Sequence, residues 1–290
     1  MDNWDDYRFI LALDRFGTLR SAATHLGVNH STVSRRLAVI NSRYAGLIFE
    51  QAAGGYVSTP LGKKLVAAAS GIEQINLTAT RQQKASGHGL SGPITLSVPG
   101  VLARYILLGP LTKFCSEHPE IDLTIQSTYR FADLNRSEAD IAVRGANNPP
   151  EHFVGRRLFA YGLSHYCNPD YLEGVAPKDR RWIAGPQEKG ATSWIKHSPF
   201  PEAPIGLHID DIEMRHQAAI SGEGMILGAC YMADPEPKLT RLPGSQVTPG
   251  QVLWVLTHPD LKDTPRIKAL MQFITSVLKE NRALIEGQHL

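Results

Sequence analysis

The sequence predicts an α/β protein that carries an N-terminal all-α winged helix-turn-helix and a long linker helix. Three observations predict it. Over the first 85 residues apolar side chains recur at three- and four-residue spacing, the signature of short amphipathic helices. From Thr59-Pro60 to about Ala85 a single helical pattern runs with no interior proline. After the Gly/Ser-rich stretch Ser86–Gly92 (SGHGLSG), short apolar strand-like runs alternate with helical ones, as in an α/β domain.

Trp4, Tyr7 and Leu11, with Ile10 and Leu13, mark a first helix that ends near Phe16-Gly17. Thr18 can cap a second, striped by Leu19, Ala22, Ala23 and Leu26 until Gly27 stops it. Asn29 is the expected N-cap of a third, with Val33, Leu37, Ile40 and Tyr44 on its buried side. Only Gly27-Val28-Asn29 separates the second helix from the third, which is the layout of a helix-turn-helix unit. Leu47–Glu50 and Tyr56–Thr59, joined through Ala52–Gly55, read as a small hairpin, a wing beside the third helix. A generic three-helix bundle accounts for the stripes equally well, but it requires neither the wing nor the turn spacing. Thr59-Pro60 then opens the fourth helix with a cap and a proline at its first position. Leu65, Ala69, Ile72, Ile75 and Ala79 carry it on as a rod of about 38 Å at about 1.5 Å per residue. A lone rod cannot bury such a stripe, so the expectation is pairing with a second copy, with packing onto its own domain as the alternative.

Charge locates the partner. With 30 Lys+Arg against 28 Asp+Glu the chain carries +2, an average that speaks against nucleic acid. Residues 1–85 hold ten basic and six acidic side chains, which leaves about +4 there and about −2 in the remainder. Between Asn29 and Lys64 five basic residues face only Glu50. Opposite the buried stripe, the third helix presents Ser31, Thr32, Arg35, Arg36 and, further on, Arg43. Arginine can bond guanine O6 and N7 together, while Ser and Thr hydroxyls reach phosphates or base edges.

The rest of the composition excludes other classes. Apolar residues make up 42% and charged residues 20%, as in an ordinary folded chain. Cys115, Cys167 and Cys230 are too few for a disulfide framework and are expected to be reduced. Met225–Ala233 and Val252–Leu256 fall short of the ~20 apolar residues that span a bilayer. The start, MDNWDDYRF, is acidic where a signal peptide would be basic, so the expected location is cytoplasmic.

In the second half Ile94–Val98, Ile121–Thr128 and Ile141–Arg144 are strand-like, and Val101–Glu117 is helical. Trp182–Ala184, Ile205–Ile209, Met225–Leu227 and Val252–Thr257 are further strands. Asp211–Ser221 is a helix, and Thr264–Glu286 closes the chain as a long amphipathic one. Proline and glycine are dense between 145 and 206, which reads as loop-rich.

These residues carry a family resemblance. AATHLGVNHSTVSRRLAVI, then LIFE, a short glycine turn and STPLGKKL, resembles the N-terminal domain of LysR-type transcriptional regulators, and the likeness continues in the family's order to about residue 285. ADIAVRG (139–145), DDIEMRHQAAISGEGMILGACYMAD (210–234) and LWVLTHPDLKDTPRIKAL (253–270) look like family segments as well. The resemblance implies a winged helix-turn-helix over residues 1–58 and a linker and dimerisation helix with hinge over 59–91. It implies a two-subdomain, periplasmic-binding-protein-like effector domain over 92–290, with subdomain I at 92–161 and 259–290 and subdomain II at 162–258. It also implies a homodimer through the linker helix, a homotetramer, operator DNA and a small-molecule effector as partners, and contact with RNA polymerase. On that pattern Asn29, His30, Ser31, Thr32, Arg35, Arg36 and Arg43 fall on or at the mouth of the recognition helix, with Lys63 and Lys64 on the DNA backbone. Where the family usually has Arg after the Phe-Glu of the wing this chain has Gln51, which shifts a backbone contact towards Lys63 or Lys64.

Ligands in open α/β sheets collect at carboxyl ends of strands and at helix N-termini. Those places are Pro99, Gly100 and Val101 after the first strand, Ser127 and Thr128 after the second, Arg144 on the third, and His208, Ile209 and Asp210 before the helix of the other subdomain. The family commonly has Ser or Thr near position 100, and Pro99-Gly100-Val101 offers no hydroxyl. Asp210 and His208 suit a polar or partly cationic ligand better than a plain dianion. A regulator whose second half serves only assembly, or a solute-binding module, are the rival readings. No catalytic constellation, cofactor motif or metal-ligand spacing stands out: Gly222-Glu223-Gly224 lacks its third glycine in register, and His165-Tyr166-Cys167 has no third ligand at a sensible spacing.

Overall fold

The computed structural model describes residues 4–44, 46–85, 89–128, 138–151, 153–186 and 193–288; residues 86–88 of the Gly/Ser-rich stretch lie outside them. The chain divides into two compact units, Met1–Thr80 and Arg81–Leu290.

The first unit opens with α1 (Asp5–Phe16), α2 (Leu19–Leu26) and α3 (His30–Arg43). Local chemistry sets their ends. Gly17 and Gly27 close α1 and α2 in the left-handed region at φ 69° and 67°, where a Cβ would be strained. The Thr18 hydroxyl accepts the Ser21 N–H at 3.1 Å. Asn29 has the extended backbone of an N-cap, but its side chain makes no cap bond. Phe9, Ile10, Leu13, Ala22, Ala23, Val33 and Ile40 form one core with Ile48, Phe49 and Leu65.

The hairpin forms as β1 (Phe49–Ala52) and β2 (Gly55–Ser58), paired antiparallel with Phe49 opposite Ser58. Leu47 and Ile48, expected in the strand, lie before it because Thr59 engages their carbonyls. Its hydroxyl donates to the Leu47 carbonyl at 2.8 Å, and its N–H to that of Ile48 at 3.0 Å. The Thr59 hydroxyl also accepts the Gly62 N–H, so one side chain both caps α4 (Pro60–Ala85) and ties it to the wing. At the other end of the hairpin the Tyr56 N–H donates to the Gly17 carbonyl at 2.6 Å. A Cβ on Gly55 would stand 2.2 Å from that same oxygen.

The second unit takes the last turn of α4 and then β3 (Gly92–Val98), α5 (Gly100–Leu102), a π-helical segment Ala103–Leu107, α6 (Leu108–Glu117), β4 (Ile121–Ser127) and β5 (Ile141–Gly145). Next come β6 (Val154–Cys167), α7 (Pro169–Gly174), a 3-10 turn Pro177–Asp179, β7 (Trp182–Ala184), α8 (Ser193–Lys196), β8 (Ile205–His208), α9 (Ile212–Ile220), β9 (Ile226–Ala229) and α10 (Cys230–Ala233). The unit ends with β10 (Thr240–Arg241), β11 (Thr248–Thr257), a 3-10 turn Pro259–Leu261, α11 (Pro265–Glu280) and α12 (Arg282–Ile285). The closing helix expected over 264–286 is thus two, divided at Asn281.

One sheet of order β10-β6-β11-β5-β3-β4, with β9 beside β6, runs through the unit, and β7 pairs β8 in a second, small sheet. β3 is parallel to β4 and β5, while β6 and β11 cross as an antiparallel pair. Separate hydrophobic cores form within the unit. One joins Ile94, Leu96, Val98 and Ile141 to Leu107, Leu111, Leu270 and Ile274. The other holds Tyr166, Ile183, Ile226 and Leu239, with Trp182, Met225 and Ile195 adjoining. Each such apolar side chain contributes about 1.5–3 kcal/mol when buried. This is the two-subdomain, periplasmic-binding-protein-like arrangement. The region read as loop-rich contains the longest strand, β6. Its Gly155 and Gly162 sit where backbone presses close: a Cβ would stand 2.0 Å from the Val255 carbonyl oxygen and 2.5 Å from that of Glu286. Among the described residues no helix is long and apolar enough to cross a membrane.

Candidate functional site

On α3 and its cap the exposed positions are Asn29, His30, Ser31, Ser34, Arg35, Ala38, Val39, Ser42 and Arg43, with Thr32 half-buried. Arg35 makes no ion pair among the described residues. Arg36 and Arg43, also expected among the DNA-reading side chains, are both engaged by Asp6. Arg36 Nε lies 2.5 Å from the Asp6 carboxylate, Arg43 pairs with the other oxygen of the same group, and the Arg36 guanidinium stands over the Phe9 ring. The geometric cause is the helical wheel. Arg36 is three residues after buried Val33 and four before buried Ile40, and Arg43 is three after Ile40, so both border the buried stripe. Asp6 is only 3% exposed and was missed. Its signal was in the sequence: Asp6, Ile10 and Leu13 stand at i, i+4, i+7, an acid on an apolar stripe. Lys63 and Lys64 are exposed on the first turns of α4.

The effector candidates fall into two groups. At the ends of β3 and β4, the Thr128 N–H donates to the Val98 carbonyl at 3.1 Å, and a Cβ on Gly100 would lie 2.6 Å from Ser127 Oγ. Glycine at 100 is therefore what lets Ser127 approach the start of α5, and a hydroxyl enters this corner from β4 instead of from position 100. Pro99 stands before α5, and Val101 is buried in the core. Arg144, singled out on the third strand, is buried. Its guanidinium is 2% exposed and donates to Ser97 Oγ at 2.6 Å and to the Val143 carbonyl at 2.7 Å. Burial pulls its pKa down to about 10, so it stays charged at neutral pH and adds positive potential beneath the strand ends.

In the second group, the Ile209 N–H donates to the Ala184 carbonyl at 2.9 Å, and His208 Nδ1 lies 3.0 Å from the Gly185 carbonyl. A carbonyl only accepts, so that ring nitrogen carries the proton. The His208 side chain also lines a cavity of about 440 Å³ with Pro201, Glu202 and Ile205 beside β8. Asp210 is exposed, and Asp211 caps α9 by accepting the Met214 N–H at 2.8 Å.

Residues outside both expected sets join them. The π-helical segment after α5 carries Tyr105, whose hydroxyl donates to Glu213 Oε1 at 3.0 Å, and Arg104 reaches the same oxygen at 2.8 Å. Single π-turns recur at functional sites because they re-aim side chains. Glu213 is the second residue of α9, so the helix end that would attract a ligand's anion already holds the chain's own carboxylate. Burial, then the bond to Glu213, pushes the Tyr105 hydroxyl up to about 12. His216, one turn further on, packs edge-on against Tyr105, and its Nε2 is buried with no hydrogen-bond partner among the described residues. Burial lowers the pKa of His216, and likewise that of His165.

A histidine whose folded pKa lies below its ordinary 6.5 is protonated first in the unfolded chain, so it destabilises the fold as pH falls below that value. The urea midpoint is therefore expected to decline between pH 7.5 and pH 5. His216→Gln should flatten part of that slope, and an unchanged slope would refute the assignment. Burial also pushes the Cys167 thiol up to about 11 and raises that of Cys230, which keeps both as thiols.

A helix-turn-helix head with a wing, a long helix and a two-lobed α/β unit define the class of a DNA-binding regulator with a ligand-sensing half. The sequence pattern of the LysR substrate binding domain matches residues 87–279. Over 292 aligned residues the chain is 24% identical to the Mau operon transcriptional activator of Paracoccus denitrificans, covering 97% of this chain and 98% of that one. Among solved structures it is similar to CrgA, a LysR-type transcriptional regulator from Neisseria meningitidis, with TM-score 0.57, 17% identity and coverage of 96% and 99%. It is also similar to the Vibrio cholerae virulence activator AphB, at TM-score 0.57, 16% identity and the same coverage. The chain belongs to the LysR-type transcriptional regulators. It is a DNA-binding transcriptional regulator with an effector-binding domain, from a family of regulators rather than of enzymes.

Proposed function

We propose that this cytoplasmic regulator reads its operator with the outer face of α3, through Ser31, Thr32 and Arg35 with Asn29 and His30 at the helix mouth, while Lys63 and Lys64 hold the DNA backbone. The observation that carries this is the contrast among three arginines of one helix. Arg36 and Arg43 are committed to Asp6, and Arg35 points a guanidinium to solvent with no partner among the described residues. Arg35→Ala should weaken operator binding by about 1–3 kcal/mol and relax specificity at one base pair. Lys63→Ala should weaken all sequences alike and reduce the salt slope by about 1. Operator affinity and base preference of Arg35→Ala equal to wild type, in gel shift at fixed salt, would sink the reading.

Two copies joining through α4 would set two such helices about one DNA turn apart. A groove of about 370 Å³ between α1, α2 and α4, lined by Trp4, Tyr7, Leu11 and Ile72, supports a second copy as its occupant, as does the exposed Ile75. Tetramer formation and contact with RNA polymerase extend the same family pattern. The chain has no catalytic role in this proposal.

The effector enters between the ends of β3 and β4 and the start of α9, and its binding changes the contacts of Glu213. Glu213→Gln should loosen this junction by about 1 kcal/mol or less, since the Arg104 side chain is 61% exposed. Amide exchange over residues 100–107 and 212–220 should then quicken, and protection equal to wild type at both would count against Glu213 as the clasp.

A further inference from the structure

Apart from the DNA-reading face and the effector cleft, one cavity carries a charge that neither uses. It measures about 390 Å³ and lies where the start of β6 meets α11. Arg156 from β6, Lys262 from the turn before α11 and Lys268 from α11 itself line it, with Gln272 beside them and Val154 and Met271 as apolar wall. No carboxylate lines it, and all three cations are exposed. Among the described residues none of the three makes a side-chain hydrogen bond or an ion pair.

Elsewhere in this unit Arg81 pairs with Asp260, Arg104 with Glu213 and Arg241 with Asp234, whereas these three cations converge on one cavity. Their convergence also runs against the net charge of about −2 carried by residues 86–290. Three like charges converging from three separate elements repel one another, and only the fold keeps them together. A concavity of this sign focuses anions, and its size is within the roughly 300–1,000 Å³ of small-molecule sites.

We propose that this cavity binds a small polyanion, a metabolite bearing a phosphate or diphosphate group, at a site separate from the cleft. Arg156, Lys262 and Lys268 take its charged oxygens, and Gln272 supplies a neutral donor at the rim. This site does not depend on the identity of the cleft's effector.

Calorimetric titration of the full-length protein with inorganic pyrophosphate, against sodium chloride at matched ionic strength, tests it. Saturable binding is expected in the wild type and in Arg35→Ala. In the double variant Lys262→Ala, Lys268→Ala it should weaken by more than about tenfold, since two charge-assisted contacts are removed. Both lysines are exposed, so the double variant keeps its core, and an unchanged melting temperature without pyrophosphate checks that. No saturable binding beyond the chloride control overturns the proposal. Equal binding by the double variant does too, as does loss confined to Arg35→Ala, which would put the anion on the DNA-reading face.

Discussion

Gly62→Ala is expected to cost the DNA-binding unit about 3 kcal/mol or more of stability, from overpacking plus lost hydrogen bonds. A Cβ at position 62 would lie 1.9 Å from the Ile48 carbonyl oxygen and 3.0 Å from its carbon. The obstacle is backbone, and it is pinned. The Ile48 carbonyl accepts the Thr59 N–H, the Ile48 N–H donates to the Asn41 side chain, and the Thr59 hydroxyl caps the Gly62 N–H. Relief requires α4 to lift off the wing, which breaks that cap and uncovers Ile48 and Leu65. Gly71 in the same helix is the control, since nothing stands within 4 Å of its Cβ position. Gly71→Ala should be neutral or stabilising by up to ~1 kcal/mol from helix propensity alone. Urea melts of the pair separate a steric seat from a helix-propensity effect: equal midpoints for the two variants would show that Gly62 is not the seat of α4. If it is, Gly62→Ala should also lose DNA affinity, because the wing and Lys63 move with α4.

How far the sequence revealed this depends on the range of the interaction concerned. The ends of α1, α2 and α4 follow from Gly17, Gly27 and the Thr18 and Thr59 caps, chemistry decided within four residues, and there reading and structure agree. The third cap agrees only in backbone, since Asn29 makes no side-chain bond. β6 escaped notice because its strand identity comes from partners far along the chain. β11 covers one part of it and β9 another, and Gly155, Gly162 and the Arg156-Arg157 pair break the local apolar pattern. Site residues follow the same division. The exposed polar face of α3 could be drawn from its wheel, whereas the crowding of Ser127 on Gly100 depends on how the first two strands pair and had no local signal. Tertiary partners decided the remainder: Asp6 took Arg36 and Arg43, Ser97 drew Arg144 inward, and Glu213 with Tyr105 was not visible as a pair because 108 residues separate them.

Asp6→Ala is expected to move stability and DNA affinity in opposite directions. Asp6 takes two guanidiniums on one nearly buried carboxylate, so its removal strands two cations beside α1. Breaking a buried pair typically costs about 3–5 kcal/mol. Here the arginine side chains are 28% and 34% exposed and can swing to water, so roughly 2–3 kcal/mol is the expected loss in a urea melt. The same swing releases Arg36 and Arg43 next to the reading face and removes one negative charge from it. Non-specific DNA binding should then tighten at low salt, and the salt slope should steepen by roughly 0.9 for each new phosphate contact. Anisotropy on a non-operator duplex across a salt series measures this at a temperature where the variant is folded. Operator preference should shrink as the general term grows, because arginines freed for phosphates carry no sequence information. Unchanged stability would mean that the Asp6 pairs do not hold α3 on α1. Lost stability with an unchanged salt slope would mean that Arg36 and Arg43, once freed, still lie beyond reach of the duplex, and Arg35 would then be the single arginine of α3 that meets DNA.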